Sequence, residues 1–191
     1  MKAIETVYNG YRFRSRLEAR WATLFDTLGI KYDYEPEGFV LSDGTYYLPD
    51  FYLPESRSWF EVKGEMDEAS AHKIDEFIKE GNHMTIGYPS FEFNSMDYWY
   101  EDGPFDFAGS ESSWLCECRK CGKKYFAGQN GSWRCPCCGA YDGDGHFTVL
   151  AEGGPDRRWY NSEEFERAVN AAKRARFEHK NIDGKRIKPR F

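Results

Sequence analysis

Two short runs of aromatic and β-branched residues, separated by a four-residue polar turn, constrain the fold more than any other part of the chain. They are residues 49–54 and 59–63. Each run has the composition of a β-strand, and the short connection favours pairing between the two. Because alternate side chains of a strand share one face, Glu61 and Lys63 project to the same side. When the runs pair, Asp50 comes up against Glu61.

This group of charged side chains predicts a metal-dependent hydrolytic site. Mg²⁺ prefers oxygen ligands and usually takes one or two protein carboxylates together with water and substrate phosphate. Asp50 and Glu61 supply such carboxylates, and the main-chain carbonyl of Val62 adds another oxygen. A metal held there lowers the pKa of a bound water. Lys63 can orient or deprotonate that water, or stabilise developing negative charge.

The segments around these two runs predict an α+β domain. Apolar residues at helical spacing predict a helix over 15–29, with Ser15 as its N-cap, and a second helix over 66–80. Three strands that would form an antiparallel meander follow the first helix: one in two pieces, 31–34 and 38–41, interrupted at 35–37, and then 45–53 and 59–63. A further short strand is predicted at 84–88. The order is therefore helix, three strands, helix, strand.

The pattern Pro49-Asp50, ten residues, then Glu61-Val62-Lys63 resembles the PD-(D/E)XK nuclease superfamily, and looks most like its compact phage and transposase-type branch. The order of elements over roughly residues 12–90 is similar to that superfamily's core. The resemblance implies a restriction-endonuclease-like mixed sheet flanked by helices. It also implies hydrolysis of phosphodiester bonds, in DNA more than in RNA, with Mg²⁺ or Mn²⁺ as cofactor. Asp50 and Glu61 would then bind the metal, and Lys63 would be the catalytic lysine.

Glu18 has two interpretations. In many members of that superfamily an acidic residue on the first helix completes the metal site, and Glu18 stands where that residue would be. Ser15 and Glu18 also have the spacing of a capping box, in which the glutamate reaches back to the N-cap. A side chain that does so is not expected to face the metal as well. Glu35 is a rival for the additional carboxylate.

Four of the six cysteines predict a structural zinc ribbon. They form two Cys-x-x-Cys pairs, thirteen residues apart and each followed by glycine: Cys118, Cys121, Cys135 and Cys138. Four thiolates in this pattern are typical of a tetrahedral Zn²⁺ site. Such a site has no open coordination position, so we expect it to stabilise the module and perform no chemistry. Cys116 and Cys137 are interpreted as buried or spare thiols. A redox Cys-x-x-Cys is the alternative, but it does not explain two pairs.

The charge distribution favours a nucleic-acid partner at the ends of the chain. The formal net charge is −6, yet residues 171–191 contain eight Lys or Arg against two acidic residues. Backbone phosphates are bound mainly by Lys and Arg. The candidates for this role are Arg12, Arg14, Arg16, Arg174 and Arg176. The ribbon carries basic residues too, and these would contact nucleic acid or a protein partner.

We predict a nuclease core over 1–113, a zinc ribbon over 114–150, and a C-terminal helix (162–180) with a basic tail, packed back on the core, over 151–191. No apolar run approaches the ~20 residues that span a bilayer. No secretory signal is evident at the N-terminus, so we expect a cytoplasmic, reduced protein without a membrane partner. Two rival functions remain open. One is a non-catalytic nucleic-acid- or protein-binding module on a nuclease-like fold, and the other is a structural component of a larger assembly.

Overall fold

The computed structural model describes residues 4–96, 113–128, 134–141, 146–153 and 160–177. Within these ranges the chain is α+β, with three helices and a mixed β-sheet. The helices are α1 (Arg16–Leu28), α2 (Glu68–Lys79) and α3 (Glu163–Arg174). The strands that precede α2 are β1 (Thr6–Tyr8), β2 (Tyr11–Phe13), β3 (Asp33–Tyr34), β4 (Phe39–Val40), β5 (Tyr46–Tyr47), β6 (Phe51–Leu53) and β7 (Ser58–Val62). Those that follow are β8 (Met84–Gly87), β9 (Phe93–Met96), β10 (Ser113–Cys118), β11 (Lys124–Gly128) and β12 (Phe147–Glu152).

The main sheet has five strands in the order β3-β6-β7-β8-β9. Strands β7 and β8 are parallel, and the other neighbours are antiparallel. Parallel neighbours need a connection that crosses one face of the sheet, and α2 provides it. The predicted pairing of the two runs is confirmed as the β6–β7 hairpin.

The predicted antiparallel meander is confirmed, but the pairing of its first two strands is interrupted. Strand β3 pairs with β6 and β4 pairs with β5, both antiparallel, so the runs over 31–41 and 45–53 lie opposite each other. The β4–β5 hairpin is separate from the main sheet. The predicted strand over 45–53 is divided between β5 and β6 around Pro49. Proline has no N–H to donate to a sheet and is confined to edges and strand ends, so it favours a break at this point.

Helices cover both faces of the main sheet. Helix α1 starts at the N-cap Ser15, whose side chain accepts a hydrogen bond from the Glu18 N–H, and ends at Gly29 in the left-handed conformation. Its buried side chains pack on one face, where Phe25 meets Phe60 edge-on at 5.0 Å. On the opposite face, α2 and the β4–β5 hairpin enclose a second cluster around Trp59. Alternate side chains of β7 therefore pack into two different apolar layers, one on each face of the sheet.

The cysteine-containing segment forms a three-stranded antiparallel sheet in the order β11-β10-β12. Leu115 and Leu150 of this sheet belong to the same buried cluster as α1, and Phe126 lies 5.3 Å from the ring of Phe60. The ribbon strands thus contribute to the main core. Residues 97–112 of the predicted nuclease core, and the basic tail after residue 177, lie outside the described residues.

Helix α3 packs in the same core through Phe165, Ala168 and Ala172. It ends at Arg174, so the predicted extension to Lys180 is wrong for the residues described. Ala175 leaves the helical conformation, and Phe177 packs edge-on against Tyr8 at 5.7 Å. In the described part of the chain, no helix combines the length and the apolar composition that crossing a bilayer requires.

Gly87 of β8 is expected to be essential for packing between the sheet and α1. An added Cβ would lie 2.5 Å from the Phe60 ring and 2.7 Å from the Trp21 ring, which are both fully buried. We expect Gly87→Ala to lower the free energy of unfolding by about 1–3 kcal/mol in urea denaturation. Gly64→Ala is the control, because nothing lies within 4 Å of its added Cβ. Equal stability of the two variants would contradict this packing.

Candidate functional site

The β6–β7 register places Asp50 opposite Glu61. Phe51 pairs with Phe60 in antiparallel strands, so Asp50, which precedes Phe51, lies opposite Glu61, which follows Phe60. The Asp50 main-chain N–H donates to Glu61 Oε2 at 3.1 Å, and the Val62 N–H donates to Asp50 Oδ2 at 2.8 Å. Both carboxylates are buried, with Asp50 4% and Glu61 3% exposed. The two acids expected to meet are therefore held together by the backbone of the hairpin.

The remaining oxygen of each carboxylate contacts a side-chain cation. Arg14 Nη2 lies 2.9 Å from Asp50 Oδ1, and Lys63 Nζ lies 2.7 Å from Glu61 Oε1. Arg14 also forms an ion pair with Glu35 through its Nε. Arg14 is predicted from the sequence to bind a backbone phosphate. In the structure, its guanidinium contacts the carboxylate cluster. Glu35 contacts the cluster through Arg14.

Glu18 lies beside the two acids and is itself 7% exposed. The predicted N-cap bond is present, with Ser15 Oγ accepting from the Glu18 N–H at 3.1 Å. Glu18 Oε2, however, accepts from the Arg14 N–H at 3.0 Å and from the Tyr34 hydroxyl at 2.6 Å. The glutamate thus binds the chain just before the N-cap. This position lets its side chain line the same cleft as Asp50 and Glu61.

The acids open into a cleft of about 530 Å³. The predicted site residues that line it are Glu18, Asp50, Glu61, Val62 and Lys63, joined by Arg14. Sequence reasoning missed the other contributors, which are Tyr46, Tyr47, Leu48, Ser70 and Lys73. Ser70 and Lys73 are three residues apart in a helix predicted to follow the strand of Glu61 and Lys63, and this spacing was a usable signal. Nothing local to the sequence indicates that Tyr47 turns inward.

Electrostatics in the cleft favour binding of a positive charge. Burial raises the pKa of Asp50 well above its ordinary value, and the charges of Glu61 and Glu18 raise it further. The Val62 N–H and Arg14 oppose this increase without cancelling it. Burial also raises the pKa of Tyr47, as do the neighbouring charges of Glu61 and Asp50. Asp50 therefore takes up a proton more readily than in water, because burial and the neighbouring negative charges both disfavour its charged form.

The described residues contain one group of three or more metal-ligating side chains whose ligand atoms lie within 4.8 Å of one another, and it is the four cysteines. The carboxylates of Asp50, Glu61 and Glu18 do not form such a group in this arrangement. A metal role for them, and for the Val62 carbonyl, stays a prediction.

The four predicted cysteines come together as expected. Sγ of Cys118 lies 3.7 Å from Sγ of Cys138, and Sγ of Cys121 lies 3.6 Å from Sγ of Cys135. Tetrahedral Zn–S bonds of about 2.3 Å place sulfurs roughly 3.8 Å apart, so the cluster could hold a structural zinc ion. Each pair is closed by a glycine at φ +69, and the N–H of that glycine donates to the carbonyl of the pair's first cysteine.

The two remaining cysteines lie outside this group, as predicted. Cys116 is buried in the small core of the ribbon, and burial raises its pKa to about 12. Cys137 is exposed, and its Sγ donates to the main-chain oxygen of Glu55 at 2.7 Å.

Both cysteine loops contact the turn of the β6–β7 hairpin. Lys123, from the first loop, forms an ion pair with the Glu55 carboxylate, and Cys137, from the second, binds the Glu55 carbonyl. Lys31 lies 3.5 Å from the same carboxylate. The expected basic face of the ribbon is thereby reduced, since Lys123 and also Lys124 are paired with acids of this chain. The four-cysteine centre is connected directly to the hairpin that carries Asp50 and Glu61.

The other arginines predicted to bind phosphate lie on the surface. Arg12 is exposed and pairs with Glu5 at 2.9 Å, and Arg16, Arg174 and Arg176 are exposed as well. The contact between Tyr8 and Phe177 brings the end of α3 against β1. The basic residues near the two ends of the described chain thus approach one another.

Comparison of the chain with models of protein families, with curated proteins and with solved structures finds no match in any of the three. The superfamily resemblance therefore stays a prediction. A functional proposal must rest on the geometry of the cleft and of the four-cysteine centre.

Replacing Asp50 with Asn tests the electrostatics of the cleft. A carboxyl whose pKa is raised on folding stabilises the fold below its ordinary pKa of 3.8 and loses that contribution as pH rises through the raised value. The stability of the parent relative to Asp50→Asn should therefore fall as pH increases above about 4. The measurement is urea denaturation across pH without divalent cations. Exposed Asp33→Asn serves as control, and a pH-independent difference for Asp50→Asn would contradict this account.

Cysteine substitutions test the metal centre. We expect Cys121→Ser to lose bound zinc, which should fall from about one ion per chain, and to destabilise the ribbon. Cys137→Ser should retain zinc, because its sulfur is outside the four-cysteine group. Elemental analysis of the purified variants gives the stoichiometry. Zinc loss from both variants, or from neither, would argue against the assigned ligand set.

Proposed function

We propose that the chain is a metal-dependent nuclease that hydrolyses phosphodiester bonds of DNA. The observation that carries the proposal is the pair of buried acids, Asp50 and Glu61, on adjacent strands of one hairpin with Lys63 in the same cleft. This combination suits a reaction in which negative charge develops on phosphate oxygens and a water must be activated.

The carboxylates fit a hard divalent cation. Asp50 Oδ2 and Glu61 Oε2 accept from backbone N–H groups, whereas Asp50 Oδ1 and Glu61 Oε1 contact the partly exposed side chains of Arg14 and Lys63. The latter two oxygens are the ones that a cation can reach when those side chains move. Burial raises the pKa of Asp50, and the charges of Glu61 and Glu18 raise it further, so a cation bound here would relieve the repulsion between the acids. Mg²⁺ or Mn²⁺ suits an all-oxygen donor set.

Asp50 and Glu61, with the Val62 carbonyl and Glu18, would hold this ion. When bound, it would lower the pKa of a coordinated water and offset charge on the phosphate. Lys63, whose side chain is 21% exposed and ion-paired with Glu61, would orient the attacking water or stabilise the developing charge. Arg14 and Lys73 also line the cleft and would hold the phosphate groups of the substrate.

A polymeric substrate also needs contacts outside the cleft. The exposed basic residues Arg12, Arg16, Arg174 and Arg176 are suited to bind backbone phosphates. The rest of the chain is acidic enough to give a net charge of −6, which would repel DNA elsewhere. DNA is preferred over RNA because the superfamily resemblance implies it.

A specific observation favours a second candidate, a non-catalytic binding module. All four oxygens of Asp50 and Glu61 already have partners in this chain. A nuclease-like fold that only binds nucleic acid would keep such an ion-paired cluster closed. The two candidates differ in whether a divalent cation displaces Arg14 and Lys63.

Cleavage assays separate these candidates. The parent protein should cut plasmid or oligonucleotide DNA in Mg²⁺ or Mn²⁺, and Asp50→Ala should abolish cutting because it removes a metal ligand. Lys63→Ala should reduce the rate by about 10²–10⁴, as expected for loss of a group that assists proton transfer. Asp33→Ala, on the exposed side of β3, is the matched control and should cut normally.

Two results would reject the enzyme. One is a parent protein that cuts no duplex, single-stranded or branched DNA or RNA. The other is cutting by Asp50→Ala and Lys63→Ala at the rate of the parent protein. Oligonucleotide binding without any cleavage would support the non-catalytic module instead.

A further inference from the structure

The β4–β5 hairpin places two exposed apolar side chains beside the cleft. Val40 and Tyr46 are directly opposed partners in the hairpin, and they are 72% and 61% exposed. Directly opposed residues project to the same face, so the two side chains lie side by side. Tyr46 also lines the cleft that contains Asp50, Glu61 and Lys63. An exposed aromatic ring thus borders the proposed reaction site.

The tip of the Tyr46 ring rests against Gly38. A Cβ added at Gly38 would lie 2.0 Å from the Tyr46 hydroxyl oxygen and 2.5 Å from ring atom Cζ. A larger residue at position 38 would therefore displace the ring from this place. Much of Tyr46 nevertheless remains exposed to solvent. A ring supported in this way can present a flat surface to a ligand at small entropic cost.

The neighbouring residue relates this ring to the acids. Tyr47 is buried and lines the same cleft as Asp50 and Glu61. Successive side chains of a strand point to opposite faces, with a rise of about 3.3 Å per residue. Tyr46 therefore leaves the other face of β5, and its exposed ring lies at the edge of this cleft. Lys63 and Lys73 line the same cleft.

We propose that Tyr46 stacks on an unpaired base next to the phosphate that is cut, so that the preferred substrate is single-stranded or has a single-stranded end or flap. This inference rests on the proposed nuclease function and names its substrate class. Phosphates and bases alternate along a single strand, so lysines beside an exposed aromatic ring can bind both. Aromatic stacking depends little on the identity of the base. In an intact duplex the base faces are already covered by their neighbours, so a ring at this position has no partner.

Binding is measured without cleavage, in the absence of added divalent cations, by fluorescence quenching of 2-aminopurine in a single-stranded oligonucleotide and by anisotropy of a blunt duplex. Tyr46→Ala should weaken single-strand affinity by about 5- to 100-fold and abolish part of the quenching. Tyr46→Phe retains the ring and should behave like the parent protein. Gly38→Ala should weaken affinity as well, because it displaces the ring without changing it. Duplex affinity should change little in all three variants.

Two results would overturn the proposal: unchanged single-strand affinity in Tyr46→Ala, or an equal loss of affinity for single strand and blunt duplex. Absence of quenching with any oligonucleotide would also reject it and would indicate that the hairpin face binds another kind of partner. The failure of the nuclease function is distinguishable. A parent protein that shows Tyr46-dependent quenching but never cleaves would refute the nuclease and leave the stacking role intact.

Discussion

The register of the β6–β7 hairpin is the constraint on which the rest of the site depends. The backbone N–H of Asp50 binds the carboxylate of Glu61, and the N–H of Val62 binds the carboxylate of Asp50. These reciprocal bonds provide two buried acids with donors that do not depend on flexible side chains. A slip of one residue would turn Glu61 onto the face where Phe60 packs against α1, because strand side chains alternate. The apolar layer and the acidic cluster therefore select the same register.

The acidic cluster conflicts with the stability of the fold. Glu18, Asp50 and Glu61 lie close together in a buried region, and the raised pKa of Asp50 reflects their repulsion as well as its burial. Arg14 and Lys63 offset part of this charge. Burial disfavours the charged form of Arg14, but Asp50, Tyr34 and Glu35 raise its pKa above the ordinary value and keep it protonated. Such opposition between stability and local charge is common where a site is organised for a ligand.

Features encoded by local sequence were predictable, whereas those set by tertiary pairing were not. The β6–β7 hairpin follows from two adjacent strand-like runs, and the four-cysteine group follows from its two Cys-x-x-Cys pairs. The antiparallel order of the strands between α1 and α2 was predicted as well, but their division into β3–β6 in the main sheet and a separate β4–β5 hairpin was not, because it depends on packing against α2. Tyr47 and Lys73 enter the cleft only because the β4–β5 hairpin and α2 cover the same face of the sheet. Glu18 illustrates both cases, since its spacing from Ser15 is local but the partner of its side chain, Tyr34, comes from β3.

The contacts of Lys123 and Cys137 with Glu55 connect the ribbon to the β6–β7 hairpin. Solvent weakens an exposed ion pair such as Lys123–Glu55, so it cannot hold the hairpin by itself. It acts together with the Cys137 contact on the same residue and with Phe126, which packs on Phe60 of β7. The turn and the back of β7 are thus both supported by the ribbon sheet. A zinc ion that orders the cysteine loops would also order the hairpin. The ribbon is therefore part of the scaffold of the acidic cluster.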